Sequence, residues 1–507
     1  MPGNTHEGAV LTEYLFQLPS RRPDQPHSTL QARIREMLVN AILEGRLTPD
    51  SALPSSRKLA RQLAVARNTV MCAYQHLVDE GFLISRERSG FYVNGDILKG
   101  RAAPQCPAAG ARQKTRRAAV DWQQQLTIHP RQLRDHRKPV NWHEYRYPFI
   151  CGQYDRELFP IADWRECCRE AASISAIHGW ARDHIDRDNP ELIDQIRRKI
   201  LPRRGLWVNA EEILVTIGAQ QGIYLTAQLL LDPGRAVGIE TPGYVDAENT
   251  FSIFTRRVKP LPVDRHGLVP DGAFARCDCV YVTPSHQYPT TVTMPQSRRM
   301  ELLRQAHAHD VILVEDDYES EFNYVGEPSP ALKSLDEDGR VIYIGSLSKT
   351  LAPGIRLGYL VGPRPFIDQA RALRRLMLRH PPSNNQFIIA KFLERGCHDA
   401  LIARLSHALQ ARWALLGDLL EQHFPGNSTR PTFGGSSFWV KGPKSLDAGR
   451  LAATAAAEGS LLFEPGEIFF HGPARPKNFF RLGFSSIPEE RIPDGVEELA
   501  RRIRAPL

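Results

Sequence analysis

Apolar positions recur with two different periods along the chain, and the change from one to the other divides it. Near the N-terminus Leu30, Ile34, Leu38 and Ile42 stand four apart, behind Ser28 as a candidate N-cap, and Gly45 and Pro49 close the run. That spacing predicts an amphipathic helix with one apolar face. Leu59 and Leu63 predict the inner face of a short second helix; after a turn near Val65, Val70, Tyr74 and Leu77 predict that of a third, stopped by Gly81. Residues 82–85 and 91–93 then flank RERSG as a candidate hairpin. Three helices and a basic hairpin compose a winged helix-turn-helix, α+β in class, over residues 1–93.

From about Arg146 onward, short apolar runs such as EEILVTI, RAVGIE, CDCVYVTP, DVILVED and RVIYIGS alternate with helical patterns. Strands alternating with helices predict an α/β domain over residues 147–507, its parallel sheet covered on both faces. The stretch between, residues 94–146, reads as a basic linker. Its residues 99–140 hold ten Lys/Arg against two Asp/Glu, and are expected to be flexible and solvated.

Composition narrows the class further. At 507 residues the chain is too long for one simple domain. A hydrophobic share of 42% and a charged share of 24% are ordinary for a globular chain with a sizeable core. No run of about 18 apolar residues exists, so no membrane span is expected. The start lacks a basic-then-apolar pattern, so no secretory signal is expected. None of the eight cysteines forms a CxxC pair; reduced thiols in the cytoplasm are expected, and no metal site. The net charge of +8 identifies no partner by itself.

Two groups of residues carry candidate chemistry. In the N-terminal part, Arg67, Asn68 and Thr69 open the third helix, where a recognition helix meets base edges, and Arg can bond guanine bidentately. Arg57, at the start of the preceding helix, suits a phosphate. Arg86 and Arg88 sit in the wing, and Gly90 could let backbone approach the duplex. These residues fit contact with double-stranded DNA, and equally a helical packing module whose arginines are merely solvated.

In the large part, GSLSKTLAPGIRLGY (residues 345–359) follows a strand-like run. Lys349, among small and hydroxylated residues, suits a Schiff base, which needs an amine of lowered pKa. Ser346 and Ser348 can bond a cofactor phosphate and Arg356 can neutralise it. Upstream, VILVEDDYESEF ends a strand in acids. Asp316 can face a pyridine nitrogen and Tyr318 a ring hydroxyl; strand alternation sends the competing Glu315 to the other side. The amides of Gly218, Ala219 and Gln220 open a helix, a ready phosphate site. Tyr244 could stack on a cofactor ring or simply pack. Arg481, in a short strand of NFFRLGF, could clamp a carboxylate.

The motifs carry two resemblances. LPSSRKLARQL, ARNTV, AYQHLVDEGFL and SGFYV resemble the GntR family of bacterial regulators across residues 28–93, with Ala66 where that family usually has Ser before the arginine. The order of GAQQ, PGY, the Asp-Tyr strand end, SxSK with Arg seven residues on, and RLGF resembles fold-type I aminotransferases over roughly residues 147–503. Together the chain resembles the MocR/GabR subfamily of GntR regulators. That resemblance implies pyridoxal 5'-phosphate as cofactor, Lys349 as its Schiff-base residue, Asp316 and Tyr318 at the ring, and Arg481 at an amino-acid carboxylate. It also implies a homodimer with swapped winged helices, in a bacterial cytoplasm and on the nucleoid when DNA is bound. Three departures bear on the pocket. Tyr288 stands where common aminotransferases have Asn, and Thr291 where they have Gly. Leu192-Ile193 replaces the usual Leu-Arg, and FGGSSFWVKG lacks the small-residue-then-His pattern. The segment SLLFEPGEIFF resembles regulators of taurine use.

Three functions compete on this reading. The first is a regulator in which an amino compound exchanges with Lys349 on the cofactor and changes DNA binding. The second is a working aminotransferase that carries a DNA-binding module. The third is a regulator whose large domain has lost the cofactor and only dimerises. Tyr288 and the basic linker favour the first over the second; Lys349, Asp316 and Arg356 together argue against the third.

Overall fold

The computed structural model describes residues 29–87, 89–98, 120–135, 138–153, 155–326, 329–472 and 475–504. Ser28, Arg88 and residues 99–119 of the expected linker lie outside the described residues. The chain divides into two compact units, Met1–Asp121 and Trp122–Leu507.

The smaller unit consists of α1 (Leu30–Leu43), α2 (Ser56–Gln62), α3 (Arg67–Asp79) and the hairpin β1 (Leu83–Arg86) and β2 (Gly90–Val93). Its core is the periodic set without Leu30, which is 45% exposed at the helix start: Ile34, Leu38, Ile42, Leu59, Val70, Tyr74 and Leu77 are fully buried, and Leu63 nearly so. Each such side chain removed from water contributes about 1.5–3 kcal/mol, which is what holds three short helices together. The N-cap of α1 is Thr29, whose hydroxyl accepts from the Ala32 amide at 3.2 Å, and not Ser28 as expected. Helix α3 starts on Ala66 with no side-chain cap.

The larger unit is built on an eight-stranded sheet. Its strands are β3 (Ile213–Thr216), β4 (Val237–Thr241), β5 (Val258–Asp264), β6 (Gly267–Leu268), β7 (Cys279–Val282), β8 (Ile312–Asp317), β9 (Val341–Ser346) and β10 (Gly358–Val361). They lie in the order β3-β10-β9-β8-β7-β4-β5-β6. The central run from β9 to β5 is parallel, β10 is antiparallel to both neighbours, and β6 is antiparallel to β5. The expected parallel sheet is thus a mixed one. LGYLVG has the same apolar texture as its parallel neighbours, so periodicity alone does not reveal its direction. The inner strands are buried along nearly their whole length, as a sheet covered on both faces requires.

A smaller antiparallel sheet contains β11 (Ser437–Lys441), β12 (Glu464–Pro465) and β13 (Phe479–Gly483). Its register sets Arg481 between Trp439 and Glu464.

The reading of residues 94–146 as one solvated linker is corrected at its C-terminal part. Residues from Trp122 belong to the larger unit. Arg134 donates to the carbonyls of Ile468 (2.7 Å) and Phe470 (2.9 Å) and pairs with Glu248, while its own carbonyl accepts from Asn249. Charged side chains with specific partners hold this stretch, where a composition rule expects solvent to hold them.

Candidate functional site

On the smaller unit, the openings of α2 and α3 adjoin: Arg67 Nε donates to Ser56 Oγ at 3.3 Å. Arg57, Arg67 and Asn68 are exposed and Thr69 is partly so. A cluster of side chains at a helix opening, free to meet a duplex, is what a recognition element needs. Arg86 is more committed than the sequence suggested, since it pairs with Asp50 at 3.0 Å and covers the Tyr92 ring at 4.4 Å. Gly90 has φ +110° and open space where a Cβ would stand, so the hairpin needs glycine there for its conformation, not for room.

On the larger unit, the C-terminal ends of the parallel strands converge on a cavity of about 240 Å³. This is where open α/β sheets hold ligands. Its walls bring together Ala219, Gln220, Tyr244, Asp316, Tyr318, Ser346, Ser348, Lys349 and Arg356, every candidate for that region except Arg481.

Sequence position explains each placement. Asp316 is near the end of β8, and its Oδ2 accepts from Tyr281 of neighbouring β7 at 2.6 Å. Its Oδ1 is buried without a hydrogen-bond partner, and so is the Tyr318 hydroxyl. Glu315 points to the opposite face and accepts from the amides of Leu332 and Lys333 at 2.7 and 2.8 Å. Asp317 is taken by the buried Arg204 at 2.8 Å. The three consecutive acids therefore have three separate surroundings, and Asp316 is the one that faces the cavity. Burial pushes its carboxyl up to about 7, with the Tyr281 hydrogen bond opposing. A cation beside Oδ1 would restore the ionised form.

Lys349 is partly buried in the cavity wall, and desolvation, reinforced by Lys138 and Arg481, holds its ammonium below the ordinary lysine range. Helix α4 (Gly218–Leu230) opens against the cavity, and the amides of a first turn have no partner within their own helix. Gly358 lets β10 approach that opening; a Cβ there would lie 2.8 Å from the Ala219 nitrogen. Ser348 Oγ accepts from the Leu357 amide at 3.2 Å. Arg356 lies across Gly218 with its backbone at φ +52° and donates to the Ile217 carbonyl at 3.3 Å. A left-handed arginine costs on the order of 1–3 kcal/mol, and such strain gathers at functional sites. Helix amides, two hydroxyls and a guanidinium thus line one end of the cavity, groups of the kind that can hold an anion.

Tyr244 lines the cavity but stands edge-on to Tyr288 at 5.1 Å, with its hydroxyl 3.3 Å from Gln220. Tyr288 also meets Tyr318 edge-on, and Arg481 covers its ring at 4.3 Å. Arg481 is buried, donates to Ser437 Oγ at 2.9 Å, and lies 3.5 Å from Glu464. Thr291 takes φ +63°, the left-handed conformation that its glycine counterpart in common aminotransferases would adopt freely. Sequence reasoning missed Tyr281, Lys138 and Glu464. Tyr281 carried a signal, a polar tip in an otherwise apolar central strand. Lys138 and Glu464 carried none, because both reach the site from segments remote in sequence.

Residues 30–93 match the sequence profile of bacterial regulatory proteins of the gntR family, and residues 151–499 that of aminotransferase class I and II. The HTH-type transcriptional regulator TauR of Rhodobacter capsulatus is 43% identical over 98% of this chain and 100% of its own length. The pyridoxine biosynthesis transcriptional regulator PdxR of Corynebacterium glutamicum is 31% identical over 94% and 97%. This chain belongs to the aminotransferase-fused GntR regulators. A multiple substrate aminotransferase from Thermococcus profundus superposes with a TM-score of 0.66 at 26% identity, over 76% of this chain and 98% of that one. The GntR regulator is therefore a DNA-binding transcription regulator, with an N-terminal winged helix and a fold-type I aminotransferase-like domain. That aminotransferase family uses pyridoxal phosphate. Among the described residues no helix is long and apolar enough to cross a membrane.

Proposed function

We propose that this regulator binds pyridoxal 5'-phosphate in the strand-end cavity and controls its DNA binding by capturing an amino compound there. The observation that carries the reading is the pair of buried, unpartnered polar atoms, Asp316 Oδ1 and Tyr318 Oη, in the same cavity as Lys349. Buried polar atoms normally have partners, and these two match a pyridinium N–H and a ring oxygen. The residues fit the cofactor at its other end as well. The α4 amides, Ser346, Ser348 and Arg356 would hold the phosphate.

When bound, the cofactor supplies a carbonyl that captures primary amines and a ring that withdraws electrons. The chain's own residues do the rest. Lys349 offers an amine whose charged form is disfavoured by desolvation and by the flanking Lys138 and Arg481, so its lone pair is more available than that of an ordinary lysine. Asp316, ionised once a cation meets Oδ1, keeps a proton on the ring nitrogen. Arg481 orients an anionic group of the incoming amine. Tyr288 fills the space before Arg481 with an aromatic ring. The likeness to the GntR regulators supports a homodimer, which would work on DNA in the cytoplasm.

The test is optical. The purified full chain should be yellow, and borohydride should fix the cofactor on Lys349, found by peptide mapping. A panel of amino acids, amines and aminosulfonates should shift the absorption band. Failure to take up the cofactor, or labelling at another lysine, overturns the reading. Turnover of an amino donor and a keto acceptor at about 1–1000 per second would make the aminotransferase the better description.

A further inference from the structure

The basic stretch at the start of the larger unit sends Lys138 into the cavity. Lys138 lines it, its Nζ lies 2.9 Å from Glu464 Oε1, and it donates to the Cys151 carbonyl. Its ammonium and the Lys349 amine reach the same space over Gly152: a Cβ built there would lie 2.5 Å from Lys349 Nζ and 3.9 Å from Lys138 Nζ. Glu464 is also the acid of Arg481, at 3.5 Å. Among the described residues, it is the carboxylate that contacts either cation. Two cations thus share one acid, and Glu464 and Arg481 are almost completely buried. Burial of a charge is costly unless an opposite charge meets it. By direct contact two cations meet one acid, beside the amine that would meet an incoming ligand, and Glu319 is the further buried carboxylate that acts on that amine. The neighbouring Cys151 thiol adds no negative charge, since burial pushes it up to about 12.

From Lys138 and Arg481 sharing Glu464 beside Lys349, we propose that Lys138 is a specificity-determining residue: with Arg481 it seats the single anionic group of an amino effector, a carboxylate or a sulfonate. This rests on the reading that the cavity captures amines. Lys138 supplies a point charge on a flexible stem, whereas Arg481 is fixed by Ser437 and the Tyr288 ring. The lysine can therefore follow anions of different size, and the arginine sets where they sit. Lys138 also belongs to the stretch held by Arg134. An anion that draws Lys138 from Glu464 alters the hold on that stretch directly.

The experiment uses the full chain loaded with pyridoxal phosphate and three amines of matched length: 2-aminoethanesulfonate, 3-aminopropanoate and 3-aminopropan-1-ol. Affinities are read from the absorption shift, in the parent, Lys138→Met and Lys138→Arg. Operator binding without amine checks that each variant is folded. Lys138→Met should weaken the sulfonate and the carboxylate by about tenfold or more and leave the alcohol within about twofold; Lys138→Arg should keep most of the anion preference. A larger loss for the sulfonate than for the carboxylate would identify aminosulfonates as the better fit. An anion preference that survives in Lys138→Met overturns this proposal while the amine-capture reading stands. A parent silent to all three amines and to the wider panel overturns both.

Discussion

The two functional regions are built on opposite principles. On the winged helix, Arg57, Arg67 and Asn68 project into solvent, and apart from the Arg67–Ser56 hydrogen bond little restrains them. In the large unit, Asp316 and Tyr318 are withdrawn from water and hold polar atoms that lack partners, and Lys349 beside them is partly buried. An exposed side chain can wait for DNA at little cost, because water satisfies it meanwhile. A buried one is costly to leave unmatched, so it signals a ligand that completes it. Exposed contacts should therefore be separable and modest in effect; buried ones should be coupled and large.

The largest expected effect tests the buried side. Asp316→Ala should weaken cofactor retention by about 1.5–3 kcal/mol, the value of a hydrogen bond to a charged group, read by dialysis and absorbance. An unchanged affinity would mean Asp316 Oδ1 is not a cofactor contact. The same residue predicts a pH effect in cofactor-free protein. Its carboxyl lies near 3.8 unperturbed and at about 7 when folded. The folded chain then binds a proton that the unfolded chain releases, so stability falls as pH rises from about 4 to 7. Asp316→Asn should flatten that decline in thermal melts. Glu240, also pushed up to about 7 by burial, keeps part of the slope.

The exposed side is tested next. Arg67→Ala should weaken binding to the cognate operator by about 1–3 kcal/mol and relax base preference. Arg57→Ala should weaken binding across sequences and reduce the salt slope by about one. Arg86→Ala should do less than either, because Asp50 already holds that guanidinium. If Arg67→Ala and Arg57→Ala both bind like the parent at matched salt, the surface is misassigned. The smallest effect concerns the bare N-terminus of α3. Ala66→Ser should add the missing cap and stabilise the winged helix by about 0.5–1 kcal/mol, seen as a higher melting temperature.

The same contrast governs what the sequence could reveal. The helical faces of the winged helix were legible because burial there follows a period of 3.6, and the residues proposed to face DNA sit at the helix openings that the period defines. The strands of the large unit were legible as apolar runs, and alternation separated Asp316 from Glu315 correctly. The direction of β10 was not legible, since an apolar strand reads alike both ways. Nor was the partner of Asp316: Tyr281 reaches it across neighbouring strands, and strand order is a tertiary fact. Lys138 was hidden by its own surroundings, because a basic, proline-bearing stretch has the composition of a linker even where Glu464 and Cys151 hold one of its lysines in a cavity.

The central claim is that capture of an amine at Lys349 governs DNA binding. It is tested most directly by operator affinity and footprint, measured on cofactor-loaded parent and on Lys349→Ala, each with and without an amine that shifts the parent's absorption band. The account predicts that the amine changes the parent's affinity or footprint, while Lys349→Ala binds the operator but does not respond. An equal response from both proteins, or none from the parent despite its optical shift, would contradict it.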